Sequence, residues 1–110
     1  MQQKIAAIRH DLLTALGEIE EFVQGRSVDE LRSDRSLQLI LEREFEIVGE
    51  ALFRLRNLSP EIFESIPNSH QVVGMRNVIA HGYDQIDHEI LWDAATKDIG
   101  VLRRAIENLQ

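Results

Sequence analysis

Apolar residues recur along most of this chain at three- and four-residue intervals, the spacing of amphipathic helices. Ile5, Ile8, Leu12, Leu16, Ile19, Phe22 and Val23 share one stripe and predict a first helix over Ile5–Val23, with Gly25 as its stop. Ser27 and Glu30 then form an S-x-x-E capping box that opens a short turn through Leu31. The polar run Arg32-Ser33-Asp34-Arg35-Ser36 reads as the exit of that turn and the cap of a long helix from about Arg35 to Arg56. Its core stripe is Leu37, Leu41, Val48, Ala51, Leu52 and Leu55. Ser59-Pro60-Glu61 is a strong helix start, and Pro67 keeps that helix short by biasing Ile66 out of the helical region. Asn68 or Ser69 can cap the next helix, which carries Val72, Val73, Met75, Ile79 and Ala80 on an apolar stripe. Asp87 caps a last helix whose stripe of Leu91, Ala95, Leu102, Ile106 and Leu109 runs to the C-terminus, interrupted by Asp98.

No segment alternates as a strand does, and there is no repeat, low-complexity tract or linker. The pattern predicts one all-α domain over residues 1–110, an up-down bundle of four principal helices plus one or two short ones. A chain of 110 residues can build a core without metal or disulfide support.

Charge narrows the function classes. The formal net charge of −7 weighs against broad binding to nucleic acid, DNA above all, because such binding needs a basic surface to displace counterions. Any RNA or nucleotide must be held locally, and partners with basic surfaces are favoured. The sequence has no cysteine, which excludes disulfides, thiolate metal sites and a cysteine nucleophile. With no long apolar run and no basic and apolar leader in Met1-Gln2-Gln3-Lys4, the expectation is a cytoplasmic protein without a membrane span. No specific metal-ligand arrangement such as HExxH is present.

Candidate chemistry concentrates in Arg76-Asn77-Val78-Ile79-Ala80-His81-Gly82-Tyr83. A helical projection puts Arg76 in the middle of the apolar stripe, where an unanswered guanidinium is costly. It must meet a carboxylate, a backbone acceptor or a ligand anion. On the long helix Glu42, Glu46 and Glu50 stack at four-residue intervals. Glu42 reads as part of a solvated acidic face, whereas Glu46 or Glu50 can turn toward Arg76. Gly49 lies between them in mid-helix, and close approach of another helix would explain its presence. The face opposite the apolar stripe holds His70, Gly74, Asn77 and His81, with Gly74 leaving room for a second backbone. His81 belongs to the side-chain type that titrates near neutral pH, and Tyr83 is the only tyrosine. In a regular helix His81 lies about 140° from Arg76, so one ideal helix cannot converge Arg76, His81 and Tyr83. Either Gly82 ends the helix and redirects Tyr83, or two chains assemble the site.

The stretch from about Arg35 to the C-terminus resembles the HEPN superfamily, and within it the HepT-like toxins of HepT–MntA toxin–antitoxin pairs. The matching residues are Glu46-Ile47-Val48-Gly49-Glu50-Ala51, Gly74-Met75-Arg76-Asn77, and the core Arg76-x4-His81-Gly82-Tyr83. Asp84-Gln85-Ile86-Asp87 and Trp92 also fit. The resemblance implies a homodimeric HEPN-like bundle whose paired Arg-x4-His-x-Tyr motifs line a cleft at the subunit interface. It further implies a metal-independent endoribonuclease with no cofactor, neutralised by a minimal nucleotidyltransferase antitoxin that transfers AMP to the motif tyrosine. Carried onto this chain, Arg76 and His81 are the catalytic positions, Tyr83 is the AMP acceptor, and Asn77, Glu46 and Glu50 are supporting residues. His70 departs from the family pattern, standing near a position where relatives carry tryptophan.

Each of these residues also has a plainer structural reading. Arg76 can be a structural ion pair with Glu46 or Glu50, His81 a helix-terminal cation, and Tyr83 a half-buried aromatic. Asn77 can orient His81 or pack the last turn, His70 and His88 fit surface or capping positions, and Trp92 fits core or interface. The alternative to the ribonuclease is therefore a noncatalytic helical module that binds and regulates a nucleotidyltransferase, which the −7 charge suits.

Overall fold

The computed structural model describes residues 2–81 and 86–109, and every regular element among them is helical. In chain order these are α1 (Gln2–Val23), α2 (Val28–Ser33), α3 (Arg35–Leu58), α4 (Pro60–Ser65), α5 (Ser69–His81), α6 (His88–Asp93), a π-helical turn (Ala94–Asp98) and α7 (Ile99–Glu107). Helices α1, α3, α5 and the α6–α7 unit are the four principal rods, and α2 and α4 are the short ones.

The boundaries follow from local chemistry. Gly25 takes a φ of 73° after α1, a left-handed conformation that favours glycine. Ser27 Oγ accepts from the Glu30 amide at 3.3 Å and starts α2. Asp34 both ends α2 and starts α3, its Oδ1 accepting from the Ser36 and Leu37 amides at 2.9 and 3.3 Å. Ser59 accepts from the Ile62 amide ahead of Pro60. Asn68, with a φ of 66°, turns the chain into α5. Asp87 accepts from the Glu89 amide at 2.8 Å and opens α6. The long helix extends two residues past the expected Arg56, to Leu58, before Ser59 interrupts it.

The stripes converge on one core. Ile8, Leu12, Leu16 and Ile19 of α1 meet Leu41, Phe45, Val48, Leu52 and Leu55 of α3. Val72, Val73 and Met75 of α5 and Leu91, Ile99, Leu102 and Ile106 of the last unit complete it. Phe45 is fully buried although the expected stripe omitted it, and Leu37, expected in the core, only packs against it. Gln38 is a buried polar residue whose Nε2 donates to the Leu31 and Arg32 carbonyls at 2.9 and 3.1 Å, tying the end of α2 to α3. Arg9 does similar work at the other end of the bundle, donating to the Ile106 and Glu107 carbonyls of α7.

The last helix differs from the continuous rod expected. Along an unbroken α-helix Leu91, Ala95, Asp98 and Leu102 would share one stripe, which would drive a carboxylate into the core. The π-turn at Ala94–Asp98 inserts one residue, so that buried Ile99 takes that place. Asp98 turns outward and accepts from Gln71 Nε2 of α5 at 3.3 Å. Trp92 packs partly buried against the core beside this turn.

Candidate functional site between α3 and α5

Helix α5 lies against α3 at Gly49. A Cβ built on Gly49 would sit 2.3 Å from Arg76 Cβ and 3.2 Å from the Val72 carbonyl oxygen. Only glycine permits this approach, which is the expected reason for a mid-helix glycine. The contact carries Arg76 across the α3 surface and leaves it half-buried, its side chain 27% exposed.

The Arg76 guanidinium has three partners. Nη2 donates to Glu50 Oε2 at 2.6 Å, Nη1 donates to Asn77 Oδ1 at 2.9 Å, and the group stacks over the Phe53 ring at 5.3 Å. Glu50 therefore supplies the carboxylate, while Glu46 lines the same cleft without bonding Arg76. The cleft has a volume of about 330 Å³ and is lined by Arg43, Glu46, Ile47, Glu50 and Arg54 of α3 with Arg76 and Ala80 of α5. Ala80 was expected on the core stripe, yet it is exposed and lines this cleft.

His81 is the last residue of α5 and is exposed. It projects from the helix face opposite to the Arg76 contact, so this chain alone does not bring the two together. Asn77 accepts from Arg76 and does not hold His81. Tyr83 and Gly82 lie outside the described residues, as does the proposed redirection of the chain after His81.

Other sequence expectations need correction. Glu42 is not solvated: its side chain is 16% exposed and meets Arg35 at 3.3 Å and His88 at 3.9 Å. The α6 start folds His88 over it, a long-range contact that helical spacing does not reveal. His88 is accordingly half-buried rather than a surface residue, although it does sit beside the Asp87 cap. His70 is exposed, as expected of a surface residue; it pairs with Glu64 at 2.7 Å and meets Phe63 in a T-shaped contact with centroids 4.9 Å apart. Gly74 has nothing within 4 Å of its Cβ position, so the face kept clear by that glycine is open in the single chain. Val78 and Ile90, 47% and 54% exposed, border it, and with Ile86 they line a shallow apolar groove between α5 and α6.

Sequence reasoning passed over Arg43 and Arg54, which reach the cleft from α3. Arg43, Ile47, Glu50 and Arg54 follow an i, i+4, i+7, i+11 pattern, which puts them on a single helix face without showing that a second helix meets it. A neighbouring groove on the α1 side of Arg43 holds a second feature, the carboxylate pair Glu18 and Glu44. Burial pushes the Glu44 carboxyl up to about 7, helped by the charge and hydrogen bond of Glu18 and opposed by Arg43.

An all-helical bundle that sets a half-buried arginine against a mid-helix glycine, with a histidine five residues on at the helix end, has the HEPN type of architecture. The family model described as "Ribonuclease HepT-like" matches residues 12–109, and the chain belongs to that family. Among curated relatives, "Probable ribonuclease HepT" of Thermococcus cleftensis is 29% identical over 100 residues, covering 91% of this chain and 90% of that protein. "Putative RNase MJ1380" of Methanocaldococcus jannaschii is 26% identical over 106 residues, covering 96% of each chain. No solved structure matches. None of the described helices is long and apolar enough to cross a membrane.

Proposed function

We propose that this protein is the toxin of a toxin–antitoxin pair, a metal-independent endoribonuclease that cuts RNA in a cleft shared by two copies of the chain. The observation that carries the reading is Arg76, a cation fixed at a glycine-mediated helix crossing and facing an open cleft, in a chain of the ribonuclease HepT-like family. Cleavage without a metal requires a base for the 2′-hydroxyl, an acid for the departing 5′-oxygen and a cation for the charged phosphorane. His81 exchanges the protons, and Arg76 grips phosphate oxygens. Because the two residues point apart on one helix, the second copy supplies the complement, docking on the open face of Gly74, Val78 and Ile90. Regulation is by a minimal nucleotidyltransferase partner that transfers AMP to Tyr83, adding bulk and negative charge to the motif.

The deciding assay is cleavage of RNA by purified protein that has never met its partner. Wild type is expected to cut and His81→Ala to lose the activity. Equal behaviour of the two would leave the noncatalytic module that binds and regulates a nucleotidyltransferase. Intact-mass measurement after incubation with the nucleotidyltransferase and ATP tests the switch. A gain of one or more AMP masses, abolished by Tyr83→Phe, is expected, and a gain that survives the substitution would count against Tyr83. Sedimentation should report a dimer at micromolar concentration.

A further inference from the structure

The chain carries 19 acidic against 12 basic residues, yet the cleft at Arg76 gathers Arg43, Arg54 and Arg76 against Glu46 and Glu50. The cations are also arranged. Arg43 and Arg54 are eleven residues apart on α3, about three turns, which puts them on one face and about 16 Å apart along the axis. Arg76 enters between them, because it packs on Gly49, midway along that interval. The result is a row of three guanidiniums rather than a point charge. Its length of about 16 Å exceeds the axial rise of about 3.4 Å per phosphate on one strand of duplex DNA, so the row reaches past a single phosphate. Two of the three are held at rest by exposed carboxylates. Glu50 covers Arg76 at 2.6 Å, and Asp11 of α1 covers Arg54 at 3.4 Å, both ends of the latter pair 50% exposed. Arg43 makes no ion pair with another described residue, although its charge also acts on the nearby Glu44 carboxyl.

We infer that Arg43 and Arg54 form a phosphodiester track on either side of Arg76, positioning a single RNA strand by its backbone while Asp11 and Glu50 act as displaceable counterions. This inference rests on the ribonuclease reading and names how its substrate is held. Guanidiniums match phosphate geometry, and contacts to the backbone fix register without reading bases. The track is sequence-independent and local, which lets a strongly acidic chain hold RNA.

The test is equilibrium binding of a mixed-sequence single-stranded RNA oligonucleotide to the full chain carrying His81→Ala, so that nothing is cut, over a salt series. For single strands each phosphate contact adds about −0.7 to the slope of log affinity against log salt. Arg43→Gln and Arg54→Gln are each expected to flatten the slope by about 0.7, which corresponds to roughly four-fold weaker binding at about 0.15 M salt. The double variant should lose roughly fifteen-fold at the same salt. Asp11→Asn, which frees Arg54 at a half-exposed position, should tighten binding instead. Both arginines are exposed, and unchanged thermal unfolding of the variants separates lost contacts from lost fold. An unaltered slope in Arg43→Gln/Arg54→Gln, with Arg76→Gln alone flattening it, overturns the track and leaves the ribonuclease standing. Failure of the parent to bind the oligonucleotide even at about 50 mM salt removes both.

Discussion

Gly49→Ala separates the two effects a helical glycine can have. Alanine at a mid-helix position is worth about 1 kcal/mol in helix propensity, so a glycine in open space is improved by it. At Gly49 the new methyl carbon would lie 2.3 Å from Arg76 Cβ and 2.9 Å from Arg76 Cγ. Carbon atoms pack at about 3.5–4.0 Å, so α3 and α5 must part by more than about 1 Å at their crossing. The clash involves Cβ atoms fixed to both backbones, and no side-chain rotation relieves it. Overpacking costs about 1–3 kcal/mol, and a clash between two backbones belongs in the upper half of that range. Subtracting the propensity gain leaves a net loss of about 1–2 kcal/mol, or about 4–8 °C in Tm for a domain of this size. Gly17→Ala is the control, since nothing lies within 4 Å of that Cβ position in the middle of α1. It should raise Tm by a few degrees. Thermal unfolding of wild type and both variants at one protein concentration gives the answer. If Gly49→Ala unfolds at or above the wild-type temperature, the glycine does not exist for the sake of the helix crossing, and the account of Arg76 placement fails with it.

Glu44→Gln should make stability less dependent on pH. With the folded carboxyl at about 7 against an ordinary 4.5, the folded state binds a proton the unfolded state lacks, so stability falls as pH rises through that window. The side chain is only partly buried, and solvent screening reduces the effect to the order of 1 kcal/mol. The variant should therefore gain that much in urea unfolding at about pH 8 and nothing at about pH 4, and a gain equal at both would exclude the carboxyl as its source. Gln38→Leu strands the carbonyls of Leu31 and Arg32 at a buried helix end, and urea unfolding should show a loss of about 1–3 kcal/mol. A neutral result would mean water or neighbouring donors replace the amide. Glu50→Gln removes the carboxylate competing for Arg76 and should strengthen RNA binding up to about five-fold, the worth of a half-exposed ion pair. Weaker binding would mean that Glu50 orients Arg76 and does not compete with phosphate.

What could be read in advance was what short-range chemistry controls. The caps Ser27, Asp34, Ser59 and Asp87 act on amides two or three residues away, and the four long stripes are set by helical period alone. Arg76 was marked as anomalous by the same reasoning, and Gly49 announced a close crossing. What could not be read depends on which elements meet. Nothing local says that α6 places His88 over Glu42, or that α5 lies so that Glu50 rather than Glu46 reaches Arg76. The π-turn was half visible, since Asp98 on an apolar stripe signalled a conflict without showing that an inserted residue resolves it. Arg43 and Arg54 were missed because arginine on a polar helix face is ordinary. Only the approach of α5 turns that face into the wall of a cleft.

The acidic composition and the proposed substrate are reconciled by where the carboxylates sit. At rest, Glu50 and Asp11 neutralise two of the three cleft arginines, so the cleft presents little net charge to passing polyanions. The Arg54–Asp11 pair is half exposed and Glu50 is exposed beside the half-buried Arg76; such pairs contribute about 0–1 kcal/mol, so an incoming phosphate displaces the carboxylates at small cost. Charge-assisted hydrogen bonds to phosphate are stronger, about 1.5–3 kcal/mol each, so each exchange is favourable by on the order of 1 kcal/mol and the gains add along the row. A single small anion gains at one arginine only, whereas a strand engaging the whole row gains at each arginine. The chain is acidic on balance, which disfavours nucleic acid away from the cleft and favours basic protein surfaces, so under the proposed function an RNA strand and a protein partner would be separated by location. On this view the net charge of −7 belongs to the mechanism of selectivity, because a basic surface would hold RNA at sites where Arg76 and His81 could not act on it.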